Sequence, residues 1–102
     1  MKSRFTLHLG QIEFGIRRVN SASAPKFLAT TQALLGEMGQ QSEQTPELID
    51  DIAAVDQALR MLAEYAAAFR TETKEPSYLT QARRKALEDL EHLRKRLIAS
   101  AA

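Results

Sequence analysis

The sequence predicts a mainly α-helical fold: an antiparallel helical hairpin or three-helix bundle, preceded by a short N-terminal β-hairpin, in the order ββααα. Apolar residues recur at three- and four-residue spacing over most of the chain, which is the period of an amphipathic helix. Pro25 and Pro46 stand where helices would begin. By contrast, the stretch FTLHLGQIEFGI at 5–16 alternates apolar and polar residues, which is typical of strands. A chain of 102 residues is expected to form a single domain over 1–102.

The alternating stretch changes phase halfway along its length, which indicates two short strands joined by a tight turn. Gly10 and Gln11 would form the turn, because glycine suits the first position of a type II′ turn. One long strand with a bulge at Gly10 is the alternative. An isolated hairpin is only marginally stable, so its apolar face should lie on helices or join the sheet of another chain. That face would contain Phe5, Leu7, Leu9, Ile12, Phe14 and Ile16.

The first predicted helix follows a linker over 17–24 and spans 25–38. Pro25 is expected in its first turn, after a cap at Ser23 or Ala24. The residues predicted for its buried side are Phe27, Leu28, Thr31, Leu34, Leu35 and Met38.

The second predicted helix spans 46–70 and has the clearest start in the chain. Thr45 would cap it, Pro46 would occupy its first turn, and Glu47 would interact favourably with the helix dipole. Its apolar residues follow a heptad pattern, with steps of four and three, which indicates coiled-coil-type packing. These residues are Leu48, Ile52, Val55, Leu59, Leu62, Ala66 and Phe69.

A second apolar stripe runs beside this heptad on the same helix, and we call it the alanine seam. Its residues also recur at steps of four and three, and most are small, which lets another backbone approach closely. A helix with two apolar stripes needs two neighbours. Either the first helix or the β-hairpin covers the seam within the chain, or a partner chain does, and we predict the interface with a partner. The alanine seam consists of Ala54, Ala58, Met61, Tyr65 and Ala68.

The third predicted helix spans 77–100 and follows a short connection, so it should pack antiparallel to the second helix. Opposite charges at four-residue spacing, such as Lys85 and Asp89, favour a solvent-exposed outer face. The predicted core residues are Leu79, Ala82, Ala86, Leu90, Leu93 and Leu97, with Leu87 and Ile98 widening the stripe.

Composition excludes several classes of protein. The chain contains no cysteine, so it has neither a disulfide framework nor a thiolate metal site. No stretch reaches the length of a membrane span, and the apolar N-terminal residues are interrupted too often for a signal peptide. The sequence therefore predicts a cytoplasmic protein with no membrane partner.

Catalytic motifs are also absent from the sequence. The two histidines, His8 and His92, lie far apart and neither has a second ligand at metal-binding spacing. There is no nucleophile-elbow motif and no glycine-rich phosphate loop. Asp50 and Asp51 fall in the first turn of a predicted helix, where acids stabilise the dipole. We therefore predict no catalytic residue, no metal site and no cofactor.

Clusters of basic residues leave one alternative function open. Two triplets in the third helix are separated by three helical turns, so they would stack along one side, as a phosphate-binding surface requires. Acidic residues lie between them and no aromatic residue accompanies them, which favours a salt-bridged face over a surface that binds nucleic acid. The possible phosphate-binding residues are Arg17, Arg18, Arg83, Arg84, Lys85, Arg94, Lys95 and Arg96.

From these observations we predict a small non-enzymatic protein-interaction module, such as an adaptor, a chaperone-like subunit or an assembly factor. It would act through coiled-coil-type helix packing, as a homodimer or with a helical partner of different sequence. A nucleic-acid-binding regulator that uses the basic residues of the third helix and the N-terminal arm is the alternative.

Overall fold

Four helices form the protein in a computed structural model that describes residues 5–69 and 74–101. Each helix packs against the next, and the last packs against the first, which makes an antiparallel four-helix bundle. The first and third helices therefore occupy diagonal positions. The prediction of a mainly α-helical fold is right. The helices are α1 (Thr6–Arg18), α2 (Ala24–Gln40), α3 (Pro46–Ala68) and α4 (Ser77–Ala101).

The predicted N-terminal β-hairpin is wrong. Residues that were expected to form two strands and a turn lie in α1, and the part of the chain that the structure describes contains no strand. Gly10 does not have the positive φ that a type II′ turn needs, since no described glycine does. The fold therefore has four helices where ββααα was expected.

The physical reason is that the N-terminal segment carries two apolar patterns at once. Its buried residues follow steps of four and three along the sequence. On a helix this spacing places them on one side, which faces the space between the other helices. Leu7 and Phe14, which only the strand pattern would bury, remain 70% and 60% exposed. Burial in the bundle thus selected the helical pattern. The residues it buries are Phe5, Leu9, Ile12, Ile16 and Val19.

Helix α2 begins after a short loop in which Asn20 organises the chain. The Asn20 side-chain oxygen accepts hydrogen bonds from the backbone N–H groups of Ala22 and Ser23, each at 3.0 Å. Ser23 is the N-cap residue, and α2 overlaps the predicted helix at 25–38. Five of its residues are buried: Ala24, Phe27, Thr31, Leu35 and Met38.

Helix α3 begins as its sequence predicts. The Thr45 side-chain oxygen accepts a hydrogen bond from the backbone N–H of Leu48 at 3.1 Å, which confirms the predicted cap. The helix ends at Ala68, with Phe69 as its C-cap residue. The predicted end at residue 70 lies outside the described residues.

Helix α4 buries all six residues that the sequence places in the core. Leu87 packs at the edge of the core, whereas Ile98 is 43% exposed. The buried side chains of all four helices form one hydrophobic cluster, so no helix stands apart from the core. None of the described helices is long and apolar enough to cross a membrane.

Candidate functional site

The alanine seam lies on the side of α3 that borders α4. Ala58 is buried at 7% exposure, and the Tyr65 ring is half-buried against Tyr78 of α4. The two rings meet edge to face, with 5.3 Å between their centroids and 78° between their planes, a favourable aromatic geometry. This part of the seam is thus covered within the chain.

The outer part of the seam remains open. Ala54, Met61 and Ala68 are exposed, and Met61 shows 43% of its surface although it is a large apolar residue. Tyr78 extends this apolar surface from α4, with 48% of its own area exposed. The result is an exposed strip of small and apolar side chains along α3, continued by Tyr78 of α4.

Paired charges border the seam along α4. The Arg96 guanidinium donates a hydrogen bond to Asp51 at 2.7 Å, and Lys85 lies 3.1 Å from Asp89. The hydrogen bond to Asp51 and the charge of that carboxylate raise the pKa of Arg96. An apolar strip with a charged rim is the usual anatomy of a protein-interaction surface.

The basic residue Arg83 has a structural position that its sequence does not reveal. Its guanidinium donates hydrogen bonds to the backbone carbonyls of Ile16 and Val19, at 2.7 and 2.6 Å, and pairs with Glu75 at 2.9 Å. The carbonyls near the end of α1 lack helical partners, so Arg83 satisfies groups that α1 leaves unpaired. It joins α4 to the end of α1.

The position of Glu75 beside Arg83 changes the pKa of its carboxyl group. Burial raises the pKa of the Glu75 carboxyl, but hydrogen bonds from Arg83 and Thr80 and the charge of Arg83 lower it more. The net pKa lies below the ordinary value, so the carboxylate stays ionised beside Arg83.

Most of the other predicted phosphate-binding residues pair with acids. Arg94 lies 3.2 Å from Glu13 of α1, and Arg17 lies 3.5 Å from the same carboxylate. Arg96 and Lys85 have the acidic partners already described. Pairing within the chain therefore reduces the positive charge offered to a phosphate backbone.

Three of the eight predicted phosphate-binding residues have no acidic partner among the residues that the structure describes. The Arg18 guanidinium stacks over the Phe14 ring, 4.9 Å from its centroid, while Arg84 and Lys95 are exposed. An open pocket of about 330 Å³ between α1 and α4 is lined by Arg17, Arg83 and Arg84, whereas Lys85 and Arg96 do not line it. The eight basic residues therefore do not form one continuous surface.

Sequence reasoning missed a second apolar surface, the groove between α1 and α2. The groove has a volume of about 380 Å³, and Phe14 and Phe27 line it. Gly15 lets the Phe27 ring lie close to α1, because a Cβ at this position would be only 2.9 Å from the ring. Leu7 lies outside the groove but on the same side of α1 as Phe14, since their seven-residue spacing equals about two helical turns.

The two histidines form no metal site. His8 Nε2 lies 2.8 Å from Glu37 of α2, and His92 Nε2 lies 3.8 Å from Asp51. Within 5–69 and 74–101, no three histidine or acidic side chains are grouped so that they could hold a metal ion.

No protein-family model matches the chain, and no curated protein or solved structure is significantly similar to it. The function is therefore inferred from the residues and their arrangement alone.

Proposed function

We propose that this protein is a non-enzymatic helical interaction module, of the adaptor, chaperone-like or assembly-factor kind, whose alanine seam packs against a helix of a partner chain. The observation that carries the proposal is the open outer half of the seam. Three of its five residues are exposed in a row along one side of α3.

The chemistry of the seam fits a helical partner. Alanine side chains allow two helices to approach closely, and the flexible Met61 side chain adapts to the shape of the partner. Tyr78 adds an aromatic contact with an exposed edge, and aromatic residues are enriched where interfaces have binding hot spots. The charges of Lys85 and Asp89 would set the orientation of the partner more than its affinity.

The test uses substitutions at exposed seam positions, because Ala58 is buried and a charge there would disturb folding. The double variant Ala54→Glu/Met61→Glu places two charges on the open strip. As a control, Ala53→Glu/Ala67→Glu adds the same charges at exposed positions on another side of α3. Both variants should keep the circular dichroism spectrum of the unmodified protein.

Affinity capture from the native host then measures binding. We expect a partner with a long amphipathic helix to be captured by the unmodified protein and by the control, but at least about tenfold less by the seam variant, because a charge desolvated in an apolar contact costs more than 1.4 kcal/mol. Equal capture by all three proteins contradicts the proposal. Sedimentation of the same proteins tells whether the partner helix belongs to a second copy, since the seam variant alone would then become monomeric.

A nucleic-acid-binding regulator is the second candidate, and the pocket lined by Arg17, Arg83 and Arg84 is the observation in its favour. The ion pairs of Arg94, Arg96 and other basic residues count against it. We expect no more than weak, non-specific binding of duplex or single strands at physiological salt. A sub-micromolar complex that weakens steeply with added salt, and is lost in Arg17→Gln/Arg84→Gln, would favour this candidate.

A further inference from the structure

The groove between α1 and α2 is an open apolar cavity that the proposed function does not use. It follows α1 from Gln11 to Val19, about 12 Å of helix. Its volume of about 380 Å³ lies within the range of small-molecule sites, roughly 300–1,000 Å³. The residues that line it are fewer than the roughly 20–30 that a stable protein interface takes from each partner. The size of the groove therefore suits a small molecule better than a protein.

The floor of the groove is apolar, even where its residues carry hydroxyl groups. A Cβ at Gly15 would lie 2.9 Å from the Phe27 ring and 3.9 Å from the methyl group of Thr31. The Thr31 hydroxyl donates a hydrogen bond to the backbone carbonyl of Phe27 at 2.8 Å. The Ser23 hydroxyl oxygen accepts one from the backbone N–H of Asn20 at 3.0 Å. Because a polar group on this floor would lose its bonds to water, the body of a ligand has to be apolar.

The charged residues that line the groove are both basic. Arg18 lies in the last turn of α1 and Lys26 in the first turn of α2, so both stand towards the loop that joins these helices. Within 5–69 and 74–101, neither has an acidic partner. The Arg18 guanidinium lies over the Phe14 ring, 4.9 Å from its centroid. This cation–π contact keeps the guanidinium beside the groove but does not neutralise its charge.

We infer that the groove binds a small organic anion in which a carboxylate is joined to an apolar body, such as a medium-chain fatty acid. The apolar body displaces water from Gly15 and the Phe27 ring, which is the main favourable term in binding. The carboxylate accepts charge-assisted hydrogen bonds from Arg18 and Lys26 at one end of the groove. The inference goes beyond the proposed function, because the alanine seam lies on α3 and does not line the groove.

The first experiment compares three probes by nuclear magnetic resonance of the isotope-labelled protein. Decanoate should shift the backbone amide signals of Gly15, Thr30 and Thr31 saturably, with a dissociation constant below about 1 mM. Decyltrimethylammonium has the same chain and the opposite charge, so it should bind at least about tenfold more weakly. Acetate lacks the chain and should leave these signals unchanged. No saturation by decanoate, equal binding of the cation, or shifts confined to the alanine seam would overturn the inference.

The second experiment removes the two charges. Arg18→Gln/Lys26→Gln should raise the dissociation constant of decanoate by at least about tenfold, because both cations that pair with the carboxylate are lost. Arg84→Gln/Lys95→Gln is the matched control, since it changes the net charge equally at exposed positions that do not line the groove. The control should change the constant by less than about twofold, because salt screens distant charges. Equal weakening by both variants would assign binding to net charge and contradict the inference.

The third experiment removes an apolar wall. Phe14→Ala should weaken decanoate binding by at least about threefold through lost apolar contact, whereas Leu7→Ala should not, because Leu7 is on the same side of α1 but outside the groove. Both residues are exposed, so both variants should keep the circular dichroism spectrum of the unmodified protein. Unchanged binding in Phe14→Ala would place the ligand elsewhere and overturn the inference. None of these variants alters the alanine seam, so capture of a partner through the seam tests the proposed function separately.

Discussion

Helices α1 and α4 pack side by side in the bundle but are stabilised in different ways. Helix α4 has 25 residues, no glycine, and an ion pair at four-residue spacing between Lys85 and Asp89. Helix α1 has 13 residues, of which Gly10 and Gly15 are poor helix formers. An isolated helix of that length is marginal in water, so α1 depends on contacts with its neighbours.

The contacts that α1 receives come from both adjacent helices. Arg83 of α4 binds its C-terminal carbonyls, and the Phe27 ring of α2 lies against Gly15. The same three- and four-residue spacing of core residues therefore occurs both in a helix that its own sequence favours and in a helix that its neighbours stabilise.

The largest expected effect is a difference in unfolding free energy between alanine variants of Leu9 and Leu7, two leucines of the same segment. Leu9 is 2% exposed, so Leu9→Ala should lower the free energy of unfolding by roughly 3 kcal/mol through lost burial and a cavity. Leu7→Ala should change it by less than about 0.5 kcal/mol, because Leu7 is exposed. Urea unfolding at low protein concentration measures both. Similar losses for the two variants would mean that α1 does not bury the face that contains Leu9.

A somewhat smaller effect tests how α4 holds α1. Arg83→Met should lower the free energy of unfolding by about 2 kcal/mol, because the carbonyls of Ile16 and Val19 lose charged hydrogen-bond donors. Arg84→Met is the control, since Arg84 is exposed and has no acidic partner among the described residues. Hydrogen exchange should accelerate at the end of α1 more than within α4. An equal change in both helices would contradict the anchoring role of Arg83.

Alanine substitutions at the two glycines of α1 should change the free energy of unfolding in opposite directions. Gly10→Ala meets no other atom within 4 Å, so it should stabilise the protein by about 0.5–1 kcal/mol through higher helix propensity. Gly15→Ala should destabilise it, because its Cβ would lie 2.9 Å from the Phe27 ring and would push that buried side chain away. Thermal unfolding measures both changes. Equal stabilisation by the two substitutions would show that α2 packs less closely on α1.

The smallest expected effect is a loss of folding stability at acidic pH. The pKa of Glu75 is lower in the folded protein than its ordinary value of 4.5, so its ionised form stabilises the fold above that pH. This contribution should be lost as the pH falls from about 4.5 through the lower folded pKa. Glu75→Gln should remove this part of the pH dependence while leaving the rest. Parallel curves of unfolding free energy against pH for the two proteins would contradict the lowered pKa.

The two exposed apolar surfaces were predictable from the sequence to different degrees. Spacing alone places the alanine seam on one side of α3, yet only the packing of α4 shows that Ala58 is buried and Met61 exposed. The groove between α1 and α2 was not predictable, because it exists only when residues 5–16 are helical. The separation of the eight basic residues likewise depends on partners, such as Glu13 and Asp51, that are distant in sequence.

The sequence by itself determined the mainly helical character of the chain and the cap at Thr45. It also determined the buried side of α4, because helix propensity, capping and apolar spacing are local properties that agreed there. Only the tertiary structure decided the state of the N-terminal segment. Its residues satisfy a strand pattern and a helix pattern equally well, and local preference between them is weak. The decisive factor was the apolar space that the other three helices leave between them. A helix buries Phe5, Leu9, Ile12 and Ile16 together in this space, which removes their apolar surface from water.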